Sequence, residues 1–166
     1  MAAKESAVDK ASGAGKRELV ITRVFDAPRE LVWKAFADPK AAGQWWGPRN
    51  FTTPVVELDV RPGGKWRAVM RSPEGKEYPQ HGVYREIVPP ERLVFTLIWD
   101  DEGPASEMLC TFTFAEQGKK TTMVFRKGPF TSAEHEKGEK EGWGEAFDRF
   151  AEFLEKGGRG APKARM

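Results

Sequence analysis

The stretch from Thr131 to Lys156, TSAEHEKGEKEGWGEAFDRFAEFLEK, constrains this chain more than any other. Its apolar residues recur as Trp143, Phe147, Phe150 and Leu154, spacings of four, three and four that put them on one helical face. Thr131 and Glu134 have capping-box spacing, which predicts a helix start near Thr131, and Gly157-Gly158 supply the stop. Residues 18–127 read as strands with two short helices among them, so the long helix has to bury its aromatic face against a sheet. Gly138, Gly142 and Gly144 lie inside this helix, each costing about 1 kcal/mol relative to alanine. Either they ease packing in a frayed early turn, or they let sheet or ligand approach the backbone.

In chain order, Glu18–Phe25 (ELVITRVF) is a first strand. Asp26 is the expected N-cap of a short amphipathic helix, Pro28–Ala37, with Pro28 in its first turn. Its apolar face is Leu31, Val32, Ala35 and Phe36. Asp38-Pro39 opens a second short helix that Gly47-Pro48 ends. The expected strands that follow are Phe51–Val60, Lys65–Ser72, Glu77–Val88, Arg92–Trp99, Glu107–Ala115 and Thr121–Lys127. Pro79 and Gly82 predict that Glu77–Val88 is bent or bulged. Short connections favour an antiparallel meander. The expected class is α+β: a curved antiparallel sheet of about seven strands around a long C-terminal helix, with two short helices after the first strand.

Charge is informative once the ends are set aside. Residues 1–17 and 157–166 are small, polar and without apolar period, and read as disordered tails flanking a domain at 18–156. The chain's net charge is +2, and the tails hold seven basic and two acidic groups, which leaves −3 on residues 18–156. A mildly acidic domain lacks the footprint of a nucleic-acid binder. Cys110 is the single cysteine, so no internal disulfide can form. With no apolar N-terminal signal and no run of membrane-span length, the expectation is a cytoplasmic protein that does not insert into membranes.

No catalytic motif stands out. The two histidines, His81 and His135, are too few for a zinc site, and no phosphate loop, nucleophile elbow or dinucleotide fingerprint is present. No metal or cofactor is expected. The excess is in aromatics. Trp45 and Trp46 sit at a helix end where burying both is awkward. Trp66, Met70, Phe95, Trp99, Phe112, Phe125, Trp143 and Phe147 sit on elements that can face one interior. Each can be plain core, or together they can line a ligand pocket with a few polar handles. His81, Tyr84, Glu86, Asp100 and Arg126 are the candidate handles, although for His81 a satisfied structural role is the better reading.

Several segments carry a resemblance: TRVFDAPRELVWKAFADPKAAGQWWGP, LDVRPGGKWRAVMRSPEGKEYPQHGVYREIVPPERLVFT, and EGW leading into an amphipathic helix. Together they resemble the activator of heat-shock protein 90 ATPase homologue family of the START-like (SRPBCC) superfamily, over about residues 18 to 156. The resemblance implies a helix-grip fold with a cavity between sheet and helix, and hydrophobic ligands such as lipids, polyketides and hormones. It also implies cyclase activity in some relatives and chaperone association in others. Residues 1–17 read as a tail, in place of the extra N-terminal domain of the co-chaperones. Three readings follow: a non-catalytic binder of a lipid-like or aromatic molecule, a cavity enzyme using His81, Tyr84, Glu86 or Arg126, and a chaperone-associated interaction module. Trp143 is expected to face the cavity, with Phe150 and Leu154 in closed core.

Overall fold

The computed structural model describes residues 17–157. The tails assigned from sequence therefore lie outside the described residues, apart from Arg17, which opens the first strand, and Gly157, which follows the last helix. Strand β1 (Arg17–Phe25) is followed by helices α1 (Arg29–Ala37) and α2 (Pro39–Trp45). Strands β2 (Thr52–Leu58), β3 (Lys65–Arg71), β4 (Glu77–Val88), β5 (Arg92–Trp99), β6 (Met108–Gln117) and β7 (Lys120–Phe130) come next, then helix α3 (Ala133–Glu155). All strands join one seven-stranded sheet in the order β1-β7-β6-β5-β4-β3-β2. Every pairing is antiparallel. β1 and β2 are thus opposite edges, and α1 and α2 carry the chain from one edge to the other. This is the α+β helix-grip architecture, with α3 held by the sheet.

Local chemistry explains where element ends moved from their expected places. β7 continues through Gly128-Pro129 because Phe130 is completely buried. The strand's extra length pushes the start of α3 back, so the N-cap is Ser132, not Thr131. The Ser132 hydroxyl accepts from the His135 backbone N–H at 3.1 Å. At α1 the N-cap is Pro28, with no side-chain cap, two residues after the expected Asp26. Asp38 caps α2 by accepting from Lys40 N at 3.0 Å, with Pro39 in the first turn. β2 is shorter than expected, and its register shifts between Thr52 and Val55, around Pro54, which has no N–H to pair.

The irregularity of β4 falls between Tyr84 and Glu86, not at Gly82. Gly82 has a different task. The Trp66 indole lies across it and donates to the Thr96 carbonyl at 2.9 Å. A Cβ on residue 82 would sit 1.7 Å from that carbonyl and 2.5 Å from the Trp66 nitrogen.

The core is aromatic and sits between α1, α2, the C-terminal half of α3 and the sheet. Phe150 is fully buried and meets Phe25, Trp45 and Phe36 at ring distances of 4.8, 4.7 and 5.1 Å. These are favourable edge and tilted geometries, each worth about 0.5–1.5 kcal/mol beyond area burial. Cys110 lies in this core, where burial pushes its thiol up to about 12.

Candidate functional site

The N-terminal half of α3 does not close onto the sheet. Between them lies a cavity of about 420 Å³. Its helix wall is Glu134, His135, Gly138, Glu139, Gly142, Trp143 and Ala146. Met70, Tyr78, Gln80 and Trp99 form the sheet wall, and Trp46, Gly47 and Pro48 form a third side. Glycine is the reason for the space. A Cβ on Gly138 would meet nothing within 4 Å, and one on Gly142 would meet only Pro48 Cγ at 3.9 Å. Gly144 is turned elsewhere, with its carbonyl accepting from Arg23 at 3.4 Å.

The loop after α2 is pinned as a rigid wall. Arg149, two turns along α3, donates to the carbonyls of Gly47 at 2.9 Å, Pro48 at 3.0 Å and Gln44 at 3.2 Å. Gln44 is in the last turn of α2, where carbonyls lack helical partners, and Gly47 and Pro48 are in the loop that follows. Arg49 is held from the same helix, by Glu145 on its backbone and Glu152 on its guanidinium. Gly47 takes a left-handed φ of 104°, and a Cβ there would press on Met70 Sδ at 3.1 Å. Trp46 is fixed at its other end, with its indole donating to Gln80 Oε1 at 2.6 Å.

A buried ion pair lies at one side of the cavity. Glu139 Oε1 accepts from Lys127 Nζ at 2.5 Å and from the Trp143 indole at 3.1 Å. Its Oε2 accepts from the Trp99 indole at 3.3 Å and lies 3.5 Å from His135 Nε2. The Lys127 side chain is only 1% exposed and that of Glu139 10%. Lys127 Nζ also sits 5.7 Å from the Trp143 ring centre and 6.0 Å from that of Trp99. Removing such ions from water is costly, and the pair persists because donors fill both carboxylate oxygens. Burial works to raise the Glu139 pKa, but the Lys127 charge and the hydrogen bonds from Lys127, Trp99 and Trp143 outweigh it and hold it below its ordinary value.

Of the residues singled out from sequence, Trp46, Met70, Trp99 and Trp143 line this cavity. Trp66, Tyr84 and Phe95 do not; they border, with Trp46, a separate void of about 20 Å³, too small for a ligand of drug size. Phe112, Phe125 and Phe147 are fully buried and form the packed layer that Trp143 rests on, with Phe125 4.5 Å from it. Trp45 is also closed core, its indole satisfied by the Ala35 carbonyl at 3.1 Å. The adjacent tryptophans thus divide: Trp45 packs inward, and Trp46 faces the cavity.

The proposed polar handles scatter. Successive strand residues point to opposite faces, so His81, beside the inward Gln80, lies on the sheet face away from α3. There it meets Asp100 at 2.6 Å, and Asp100 also binds Arg67 at 3.0 Å. Burial works to raise the Asp100 pKa, but His81 and Arg67 together hold it below its usual value. Glu86 pairs with Arg92, and Arg126 with Glu18, both at the surface. Tyr84 alone faces inward, where burial raises its phenol pKa. None of these five lines the cavity, so they present no acid–base constellation to it. Among the described residues, no group of three or more His, Cys, Asp or Glu is placed to hold a metal ion.

Sequence reading missed Lys127, Glu139, Gln80 and Tyr78. The signal for the first two was present. Thr121, Met123, Phe125 and Lys127 share the inward side of one strand, and Glu139 stands one helical turn before Trp143.

Comparison with known proteins decides the family. The model of the family described as Activator of Hsp90 ATPase homolog 1-like protein (AHSA1) matches residues 26–155. The chain belongs to this family. Solved structures agree with it. A Chromobacterium violaceum protein superposes with a TM-score of 0.78 at 29% identity, covering 83% of this chain and 96% of its own. A Nitrosomonas europaea protein gives 0.75 at 25% identity, covering 84% and 95%. An AHSA1 protein of Silicibacter pomeroyi gives 0.74 at 25% identity, covering 84% and 98%. No curated protein matches the chain. The AHSA1 match covers every element from α1 to the end of α3, so every wall of the cavity lies inside it.

Proposed function

We propose that this AHSA1 protein is a non-catalytic binder of a small, largely hydrophobic molecule, aromatic or lipid-like, held between α3 and the sheet. The observation that carries the reading is the 420 Å³ cavity edged by Trp46, Trp99 and Trp143 and left open by Gly138 and Gly142. Its size falls in the range of about 300–1,000 Å³ usual for small-molecule pockets, and Gln80 and Glu139 on its walls are fixed in place by hydrogen bonds. Tryptophans at the wall make binding directly visible. Lipids and polyphenols titrated against the wild-type protein should change Trp emission, raise Tm and give one-to-one complexes in native mass spectra. A broad screen in which no compound raises Tm contradicts the proposal.

The family supports a second reading, association with a chaperone. Its printed description names an activator of the Hsp90 ATPase, and that property comes to this chain only by kinship. On the structure, Val20 and Val24 stand exposed on one face of β1, with Thr22 between them. An Hsp90 ATPase assay settles the matter: acceleration by the wild-type protein, lost in Val20→Asp/Val24→Asp, supports the second reading, and no acceleration removes it. No described helix is long and apolar enough to cross a membrane. A cytoplasmic location belongs with these proposals and rests on the single, buried, unpaired Cys110.

A further inference from the structure

The cavity's charges are one-sided. Asp101, Glu102, Glu134 and Glu139 line it, and no Lys or Arg is among the described residues that do. Lys127 neutralises Glu139 from behind, at 2.5 Å. That leaves Asp101, Glu102 and Glu134, all exposed, as the negative charge on the solvent side of the lining. The rings inside have the matching property, since the face of an aromatic ring attracts cations. The chain's own lysines use it on three cavity residues. Lys127 Nζ lies over Trp99 and Trp143, and Lys76 Nζ lies 5.1 Å over Tyr78.

We propose that the cavity selects organic cations: amines or quaternary ammonium compounds carrying an aromatic or alkyl body. This rests on the ligand-binding reading and narrows it. The apolar body fills the space that Gly138 and Gly142 leave, and the cationic head lies among the tryptophan faces and the exposed carboxylates. A fatty carboxylate or other anion meets like charge at a cavity whose apolar walls strengthen the repulsion. The described residues, 17–157, add to the same bias with a net charge of −2.

The test is a matched series on the full chain: phenylbutyl-trimethylammonium, phenylbutylamine, phenylbutanol and phenylbutyrate, titrated by Trp emission and calorimetry at low and high salt. The two cations should bind about 10-fold or more tightly than the alcohol, a ratio within reach of cation–π contacts plus the carboxylate charge, and the carboxylate should bind weakest. The variant Asp101→Asn/Glu102→Gln/Glu134→Gln changes exposed side chains without changing their size. It should lower cation affinity several-fold and reduce its salt dependence, while leaving phenylbutanol unchanged. Alcohol or carboxylate binding as tightly as the cations overturns cation selection and leaves the hydrophobic-ligand reading standing. Cation affinity unaltered in the triple variant overturns it as well. Absence of binding by all four compounds, together with a broad screen that finds no ligand, overturns both.

Discussion

The two halves of α3 lie on the same sheet and do opposite things. From Phe147 onward, Phe147, Phe150, Phe153 and Leu154 are all buried, and no cavity residue comes from this half. Before Phe147, the inward positions are Gly138, Glu139, Gly142 and Trp143, and there the cavity opens. One half has a large apolar side chain at each turn, and the other has a single ring, Trp143, among glycines and a carboxylate. A single helix can therefore serve as core at one end and as pocket wall at the other, divided by side-chain volume alone. The glycines cost helix stability that the packed half has to supply.

The largest expected effect on stability is in the packed half. Phe150→Ala should cost about 3–5 kcal/mol in chemical denaturation, because a fully buried ring touching Phe25, Phe36 and Trp45 leaves a cavity that its neighbours cannot fill. A loss below about 1 kcal/mol would show that the two halves are not energetically distinct.

Next comes the ion pair at the pocket. Lys127→Met strands the Glu139 carboxylate and should cost about 3 kcal/mol or more, whereas Lys127→Met/Glu139→Gln should recover much of that loss. The same pair predicts a pH effect. The folded Glu139 pKa lies below the unfolded value of about 4.3, so its contribution is present above that value and is lost as pH falls through the folded one. Between neutral pH and mild acid the wild type should therefore keep its stability advantage over Glu139→Gln, and the two should converge as acidification continues. Denaturant midpoints across that range check this, and a constant difference down to the lowest pH would contradict it.

Trp143→Ala should cost less than Phe150→Ala, roughly 2 kcal/mol, since part of the indole already faces open space. It should nonetheless abolish or change ligand binding in the emission assay. Equal destabilisation by the two variants, with affinity unaltered, would place Trp143 in the core.

The contrast between the halves was partly legible in the sequence. The stripe of Trp143, Phe147, Phe150 and Leu154 fixed the helix face, and the bounds of β4 and β5 are those expected from the sequence, Glu77–Val88 and Arg92–Trp99. The division within the aromatic set was not legible. Trp45 and Trp46 are adjacent and chemically identical, and only the tertiary position of the loop after α2 sends one to the core and the other to the cavity. Lys127 and Glu139 went unnoticed because a search for apolar periodicity passes over charged residues, even where strand parity and helix spacing point them inward. His81 shows the converse: its position beside Gln80 already set it on the far face, and expecting a pocket role for it required a bulge at Gly82 that β4 does not have.

The smallest expected stability change belongs to the variant that tests the central claim most directly. In Gly138→Leu, the new Cβ meets nothing within 4 Å and the rest of the side chain extends into the cavity. Helix propensity favours leucine over glycine by about 0.8 kcal/mol, so the variant should be as stable as the wild type or slightly more so. Its affinity for any ligand that shifts wild-type Trp emission should fall about 10-fold or more. Preserved stability with lost binding is the result predicted by a cavity that glycine keeps open. Unchanged affinity in a folded Gly138→Leu protein would show that the ligand lies elsewhere, and would contradict the account.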